Sequence, residues 1–161
     1  MYNLTWSRKE LTRQKLGTFC EYYAKMALAS YGLSIYTSEV DDHGIDFVAE
    51  SKNGFLKFQV KAIRTATTSY VYMPEENFNI EDEDLFLFLV LLVDGEHPDT
   101  YVIPASTWKK ESKLFVYHAA YEGKKSNSEY ALNLSGKNMP ELVPFRLEKM
   151  IPVVTGEKTD E

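Results

Sequence analysis

Between Arg8 and Tyr31 the apolar residues recur with the 3.6-residue period of a helix, and Leu16, Phe19, Cys20, Tyr23, Ala24, Ala27 and Tyr31 fall on one broad face. Both ends of this segment carry boundary signals. Ser7 and Glu10 have the spacing of a capping box, Trp6 and Leu11 that of a hydrophobic staple, and Gly32 supplies a C-terminal stop. Glu21 sits at the shoulder of the apolar face, in line with Gly17, Ala24 and Leu28, where small residues let a sheet approach closely. Taken alone, such a flank glutamate reads as a solvated residue paired with Lys25 one turn on.

The period then drops from 3.6 to 2. Residues 42–64 read as a β-hairpin in which Leu56, Phe58, Val60 and Ala62 face the core and Lys57, Gln59 and Lys61 alternate with them on the opposite face. Asn53-Gly54 is the strongest turn signal, because a type I′ turn needs φ > 0 at both central residues. A two-residue turn there pairs Lys52 with Phe55 and sets Asp46 opposite Lys61. A four-residue loop over Ser51 to Gly54 pairs Glu50 with Phe55 instead and sets Asp46 opposite Gln59. Either register gathers Asp46, Gln59 and Lys61 on one face, outside the central core or at the mouth of a cleft beside it. The bland reading of the same residues is a solvated glutamine beside an exposed cross-strand ion pair, which contributes about 0–1 kcal/mol.

Further along, Ser69 to Met73 reads as a strand that completes a three-strand meander. Leu85 to Val93 is apolar at every position, so it predicts a buried strand with both faces covered; it is far short of the roughly 20 residues of a membrane-spanning helix. Tyr101 to Ile103 forms a strand after a turn over Asp94 to Asp99, and Pro104 to Lys110 a short helical stretch. Leu114 to Ala119 and Tyr130 to Leu134 are two more short strands, Pro140 to Met150 a last helix, and Thr155 to Glu161 a mobile tail. This order predicts one α/β domain over residues 1–154. Tyr70 and Tyr72 alternate along their strand and read as packing residues in preference to a base-stacking groove.

An acid, an amide carbonyl and a lysine on one sheet face are the equipment of metal-assisted phosphodiester hydrolysis. Glu21 on an opening helix, the Asp42-x-Gly44-Ile45-Asp46 strand, a hairpin, and then Gln59-Val60-Lys61 together resemble the PD-(D/E)XK nuclease superfamily, the restriction-endonuclease-like fold. The pattern looks most like the small bacterial domains grouped with its Mrr-type and Holliday-junction-resolvase-like members, and it covers roughly Ser7 to Val93. The resemblance implies a restriction-endonuclease-like core, an N-terminal helix followed by a β-meander and a mixed central sheet flanked by helices. It implies Asp46 as the central metal ligand, with Glu21 supporting it directly or through water and Gln59 coordinating through its carbonyl. Lys61 would orient the attacking water or stabilise developing charge. Mg²⁺ is the implied cofactor, with Mn²⁺ as a substitute, because hard oxygen ligands suit it and leave room for phosphate oxygens. The implied activity is cleavage of DNA, and a homodimer is one arrangement for cutting two strands.

Two positions depart from the family pattern. Gln59 stands where Asp or Glu is usual, which removes a negative charge and weakens cation binding; Ile45 stands where proline customarily precedes the aspartate. The alternative is therefore a catalytically lapsed domain that keeps the fold as a protein- or nucleic-acid-binding module.

Net charge is −6, but residues 74–100 carry nine acidic and no basic residues, whereas residues 1–73 carry nine basic against seven acidic. The region with the candidate chemistry is thus mildly basic and able to meet phosphate, with Lys57, Lys61 and Arg64 along one strand. The acidic stretch 75–84 reads as a solvated loop or short acidic helix; as a phosphate mimic it would point instead to an antitoxin-like factor with a basic partner. The start MYNLTWSRKE has no signal-peptide pattern, and Cys20, the sole cysteine, falls on the apolar helix face as a core thiol. These features predict a cytoplasmic protein. His43, His97 and His118 lack zinc-ligand spacing, and His43 reads as a turn residue.

Overall fold

In the computed structural model, which describes residues 4–37 and 43–157, the apolar run at residues 85–92 forms the strand around which two layers are built. Every residue of this strand, β5 (Leu85–Leu92), is buried, and its alternation divides it between two cores. Phe86, Phe88, Val90 and Leu92 face the helices, while Leu85, Leu87, Leu89 and Leu91 face a second sheet. The central sheet has the order β1-β2-β3-β5-β6, formed by Ser34–Tyr36, Phe47–Ser51, Gly54–Arg64, β5 and Asp99–Pro104. Only β3 and β5 run parallel; the other neighbours are antiparallel. Helices α1 (Arg13–Ser30) and α2 (Leu147–Thr155) contribute Leu16, Cys20, Ala24 and Leu28, and Leu147, Met150 and Val154, to the first core. Among the described residues no helix is long and apolar enough to cross a membrane.

The meander after α1 is real, but its members are β1, β2 and β3. The strand expected to complete it, observed as β4 (Tyr70–Pro74), leaves the central sheet and joins a three-stranded sheet of order β4-β8-β7, with β7 at Phe115–His118 and β8 at Glu129–Asn133. Its buried Met73 packs with Phe78, Trp108, Phe115 and Leu132 in the second core, which gives β4 a better apolar surface there than beside β3. The expected last helix also divides. A 3-10 segment at Met139–Phe145 gives way to α2 at Arg146, whose backbone is non-helical at φ −52° and ψ 140°, and α2 then runs through Pro152 to Thr155. The tail expected from Thr155 begins inside α2, and residues 158–161 lie outside the described residues.

Helix α1 begins five residues later than its capping-box signal suggests. The Thr12 hydroxyl accepts from Lys15 N–H at 3.2 Å and is the true N-cap. Ser7 instead donates to the Asp94 carboxylate at 2.5 Å, beside the Trp6 N–H at 2.6 Å, and these bonds tie the N-terminal segment to the turn after β5. At the other end Leu33 N–H reaches Leu28 O, Gly32 N–H reaches Ala29 O, and Gly32 has φ +90°, which together make a Schellman stop. The buried stripe is Leu16, Cys20, Ala24 and Leu28; Tyr31 is 46% exposed, not part of it. Burial pushes the Cys20 thiol up to about 12, so it is an inert core group.

The hairpin takes the register that pairs Glu50 with Phe55. Its turn centres on Lys52-Asn53, not on Asn53-Gly54. The Ser51 hydroxyl accepts from Asn53 N–H at 3.2 Å and donates to Gly54 O at 3.3 Å, a local closure that competes with the Asn-Gly turn. Register is also fixed from the core. Phe47, Phe58 and Phe86 are cross-strand neighbours on β2, β3 and β5, stacked at centroid separations of 5.1 and 5.6 Å. Phe58→Ala should lower stability by roughly 3–5 kcal/mol, read as a lower urea midpoint with an unchanged slope. An unaltered midpoint would show that the stack does not hold the sheet together.

Candidate active site

Alternation along β2 and β3 turns the residues next to the phenylalanine stack to the opposite face. Asp46 immediately precedes Phe47, and extending the observed register sets it opposite Gln59. Its backbone N–H donates to Phe58 O at 2.9 Å, and its carboxylate accepts from Val60 N–H at 2.6 Å, so Asp46 straddles Gln59. The chain reaches Asp46 through a turn in which His43 and Gly44 are both left-handed, at φ +55° and +76°. Gly44 is required there for space as well: a Cβ would lie 3.0 Å from Asn77 Cβ and 3.2 Å from Gln59 Nε2. Asp42 lies outside the described residues.

Gln59 is 6% exposed, so of the three polar residues expected outside the core it is in fact buried. Its amide nitrogen faces the Gly44 turn, while its buried Oε1 has no hydrogen-bond partner among the described residues. A buried carbonyl without a donor costs about 1–3 kcal/mol, and a hard cation beside the Asp46 carboxylate would satisfy it. The donor set thus fits a divalent cation that keeps several waters. Among the described residues no three His, Cys, Asp or Glu side chains converge, so a site of three such ligands is not formed.

β3 is longer than its partner. Gly54–Phe58 pair with β2, whereas Val60–Arg64 have no strand on that side among the described residues. A cleft of about 680 Å³ opens along this free edge, with Arg13, Leu16 and Gly17 of α1 on one wall and Tyr70, Tyr72 and Pro74 of β4 on the other. Lys61 and Arg64 project from its floor. Burial pulls the Lys61 ammonium below the usual lysine range, while the nearby Asp46 carboxylate pushes it back up. Arg64 spans the base of the cleft to donate to Leu11 O, leaving its Nε buried with no partner among the described residues. None of the lining residues is acidic, on a chain of net charge −6.

The structure therefore brings Asp46, Gln59 and Lys61 together. Glu21 lies on α1 one turn beyond Gly17, half-buried and outside the cleft lining, and one turn before Lys25, whose Nζ is 6.0 Å from the Phe47 ring centroid. Lys57 is separated from the group by an ion pair with Asp82. The acidic stretch is similarly engaged elsewhere, with Glu81 on Lys109 at 2.6 Å and Glu75 accepting from the Tyr117 hydroxyl at 3.0 Å. Sequence reasoning missed Arg13 and misjudged Tyr70 and Tyr72, which are 37% and 51% exposed. Placing the cap at Thr12 would have found Arg13, since it then lies on the Gly17–Glu21 line at four-residue intervals.

No protein-family model matches the sequence, and no curated protein matches it in sequence. Solved structures do match in three dimensions. A bacterial homing endonuclease, I-Ssp6803I, superposes with a TM-score of 0.53 at 18% identity, over 91% of this chain and 93% of that one. Hjc, a Holliday junction resolvase of Archaeoglobus fulgidus, superposes with a TM-score of 0.50 at 13% identity, over 90% of this chain and 99% of that one. With its N-terminal helix and mixed sheet, the chain shares the fold of these two structures, the restriction-endonuclease-like fold.

Proposed function

We propose that this protein is a metal-dependent nuclease that hydrolyses phosphodiester bonds in DNA at the cleft between α1, β3 and β4. The observation that carries the reading is a cleft lined by Arg13, Lys61 and Arg64 without an acidic residue, on an otherwise acidic protein, next to the Asp46 and Gln59 oxygens. Such a charge distribution draws a phosphate backbone to one place on the surface. The two solved nucleases that share the fold agree with this assignment.

Asp46 and the Gln59 carbonyl would hold Mg²⁺, with Glu21 joining from α1 directly or through water. The cation supplies charge neutralisation at the phosphate and a water of lowered pKa. Arg13 and Arg64 hold the backbone in the cleft by charge-assisted hydrogen bonds to phosphate oxygens. Lys61 faces the scissile phosphate, where its ammonium offsets the negative charge that develops on the non-bridging oxygens. Because burial already opposes its charged form, that ammonium gains from a phosphate the counter-charge that Asp46 supplies only in part. The single missing carboxylate at Gln59 makes cation binding weaker than a two-acid site and places it under tighter control of cation concentration.

Asp46→Asn should bring Mg²⁺- or Mn²⁺-dependent cutting of a panel of supercoiled, single-stranded and branched DNA to background and remove the heat of Mg²⁺ binding in calorimetry. Cutting that persists in the variant would overturn the assignment. DNA binding by both proteins with no cutting and no Mg²⁺ heat in either would favour the lapsed binding module.

Lys61→Met should reduce cleavage roughly 10²- to 10³-fold without unfolding the protein. The folded-state pKa of Lys61 lies below the ordinary 10.5, so the unfolded chain binds more protons and wild-type stability rises with pH towards that value. Lys61→Met should therefore melt above the wild type at neutral pH, with the gap closing as pH approaches 10.5. A variant that melts lower at neutral pH would contradict the burial cost assigned to the ammonium.

A further inference from the structure

Beside the cleft, strand β4 presents two aromatic rings that neither core uses. Val71 and Met73 turn inward to the second core, and the alternation sends Tyr70 and Tyr72 to the other face, with ring centroids 6.4 Å apart. Exposed tyrosine rings offer a π-face on which a planar group can stack. Tyr70 is held in place: its ring lies 6.2 Å from that of His118, and its hydroxyl bonds to Glu129. Tyr72 is the freer of the two, with half its surface exposed.

Their position gives the pair its meaning. Tyr70 and Tyr72 form one wall of the cleft that holds Lys61, and they also border a second depression of about 500 Å³ that reaches the 125–129 loop. The two depressions thus meet at the tyrosine ridge, and a chain leaving Lys61 in the direction of β4 must cross it. On the far side Lys125 stands among Glu76 and Glu129, whereas on the near side Arg13, Lys61 and Arg64 stand without an acidic neighbour in the lining, so the cationic part of the path is the Lys61 cleft. A cationic cleft bordered on one side by exposed aromatic rings suits a nucleic-acid strand whose bases are free to turn aside and stack; in an intact duplex the bases are already stacked on each other.

Resting on the nuclease reading, we infer that Tyr70 and Tyr72 form a base-stacking platform for an unpaired nucleotide next to the scissile phosphate, so the enzyme selects DNA that carries a single-stranded interruption over continuous duplex. Tyr72 provides the main stacking face, and Tyr70, fixed by Glu129 and His118, backs it.

The test uses the full chain with Asp46→Asn to prevent cutting and two labelled oligonucleotide substrates without added metal. One is a blunt duplex; the other is the same duplex with a three-nucleotide bulge containing 2-aminopurine. Binding of the bulged substrate should quench the 2-aminopurine emission, and its affinity should exceed that of the duplex. Adding Tyr72→Ala should abolish the quenching and lower affinity for the bulge roughly 5- to 150-fold, down to the duplex level. Tyr72→Phe should restore both, since the ring and not the hydroxyl stacks. Equal affinities for the two substrates in the Asp46→Asn protein, or quenching that survives Tyr72→Ala, would overturn the platform and leave the nuclease reading standing. Failure to bind either substrate, together with no cutting of the DNA panel by the wild type, would overturn both.

Discussion

The stack of Phe47, Phe58 and Phe86 across three strands is the constraint on which the remainder of the molecule rests. Each ring is buried against the helices, and each is directly opposite its neighbour in register. A slip of one residue would turn the three rings away from α1 and carry Asp46 and Gln59 to the helix side. Aromatic pairs add about 0.5–1.5 kcal/mol each beyond the area they bury. The candidate active site is therefore the reverse face of the best-determined part of the core, and its polar groups inherit their placement from apolar contacts made one residue away.

The distribution of charge follows a related logic. The acidic stretch after β4 does not shield the cleft: Asp82 and Glu81 are turned onto Lys57 and Lys109, and Glu75 onto Tyr117. Lys57 and Lys61 belong to the same face of β3, yet the first is neutralised by a neighbour and the second is left facing open space beside Asp46. Two lysines four residues apart thereby acquire separate work, one holding the segment at Asp82 to β3 and the other lining the cleft.

Those parts of the fold with a strong local signal were legible in the sequence. The uninterrupted apolar run of β5, the alternation of β3 and the order of Glu21, Asp46, Gln59 and Lys61 were enough to reach the restriction-endonuclease-like core. Competing local signals account for the errors at element ends. Ser7 and Thr12 both offer a helix cap, and the choice is made by Asp94, distant in sequence, which takes Ser7. Asn53-Gly54 offers a turn that the Ser51 hydroxyl forestalls. The departure of β4 to a second sheet could not be read from five residues, because its destination depends on an apolar surface made by Trp108, Phe115 and Leu132. The burial of Gln59 was hidden for the same reason, since it arises from the close approach of Gly44 and Asn77.

That excursion of β4 has a consequence for the order in which the molecule is made. Synthesis runs from the N-terminus, and β3 meets β5 after only some twenty intervening residues, so the central sheet can form early. Among the described residues, β4 finds its strand partner only in β8, whose residues 129–133 emerge much later. A nascent chain thus acquires the Asp46 and Lys61 face before it acquires the opposite wall of the cleft, which is held in place only once β8 has emerged.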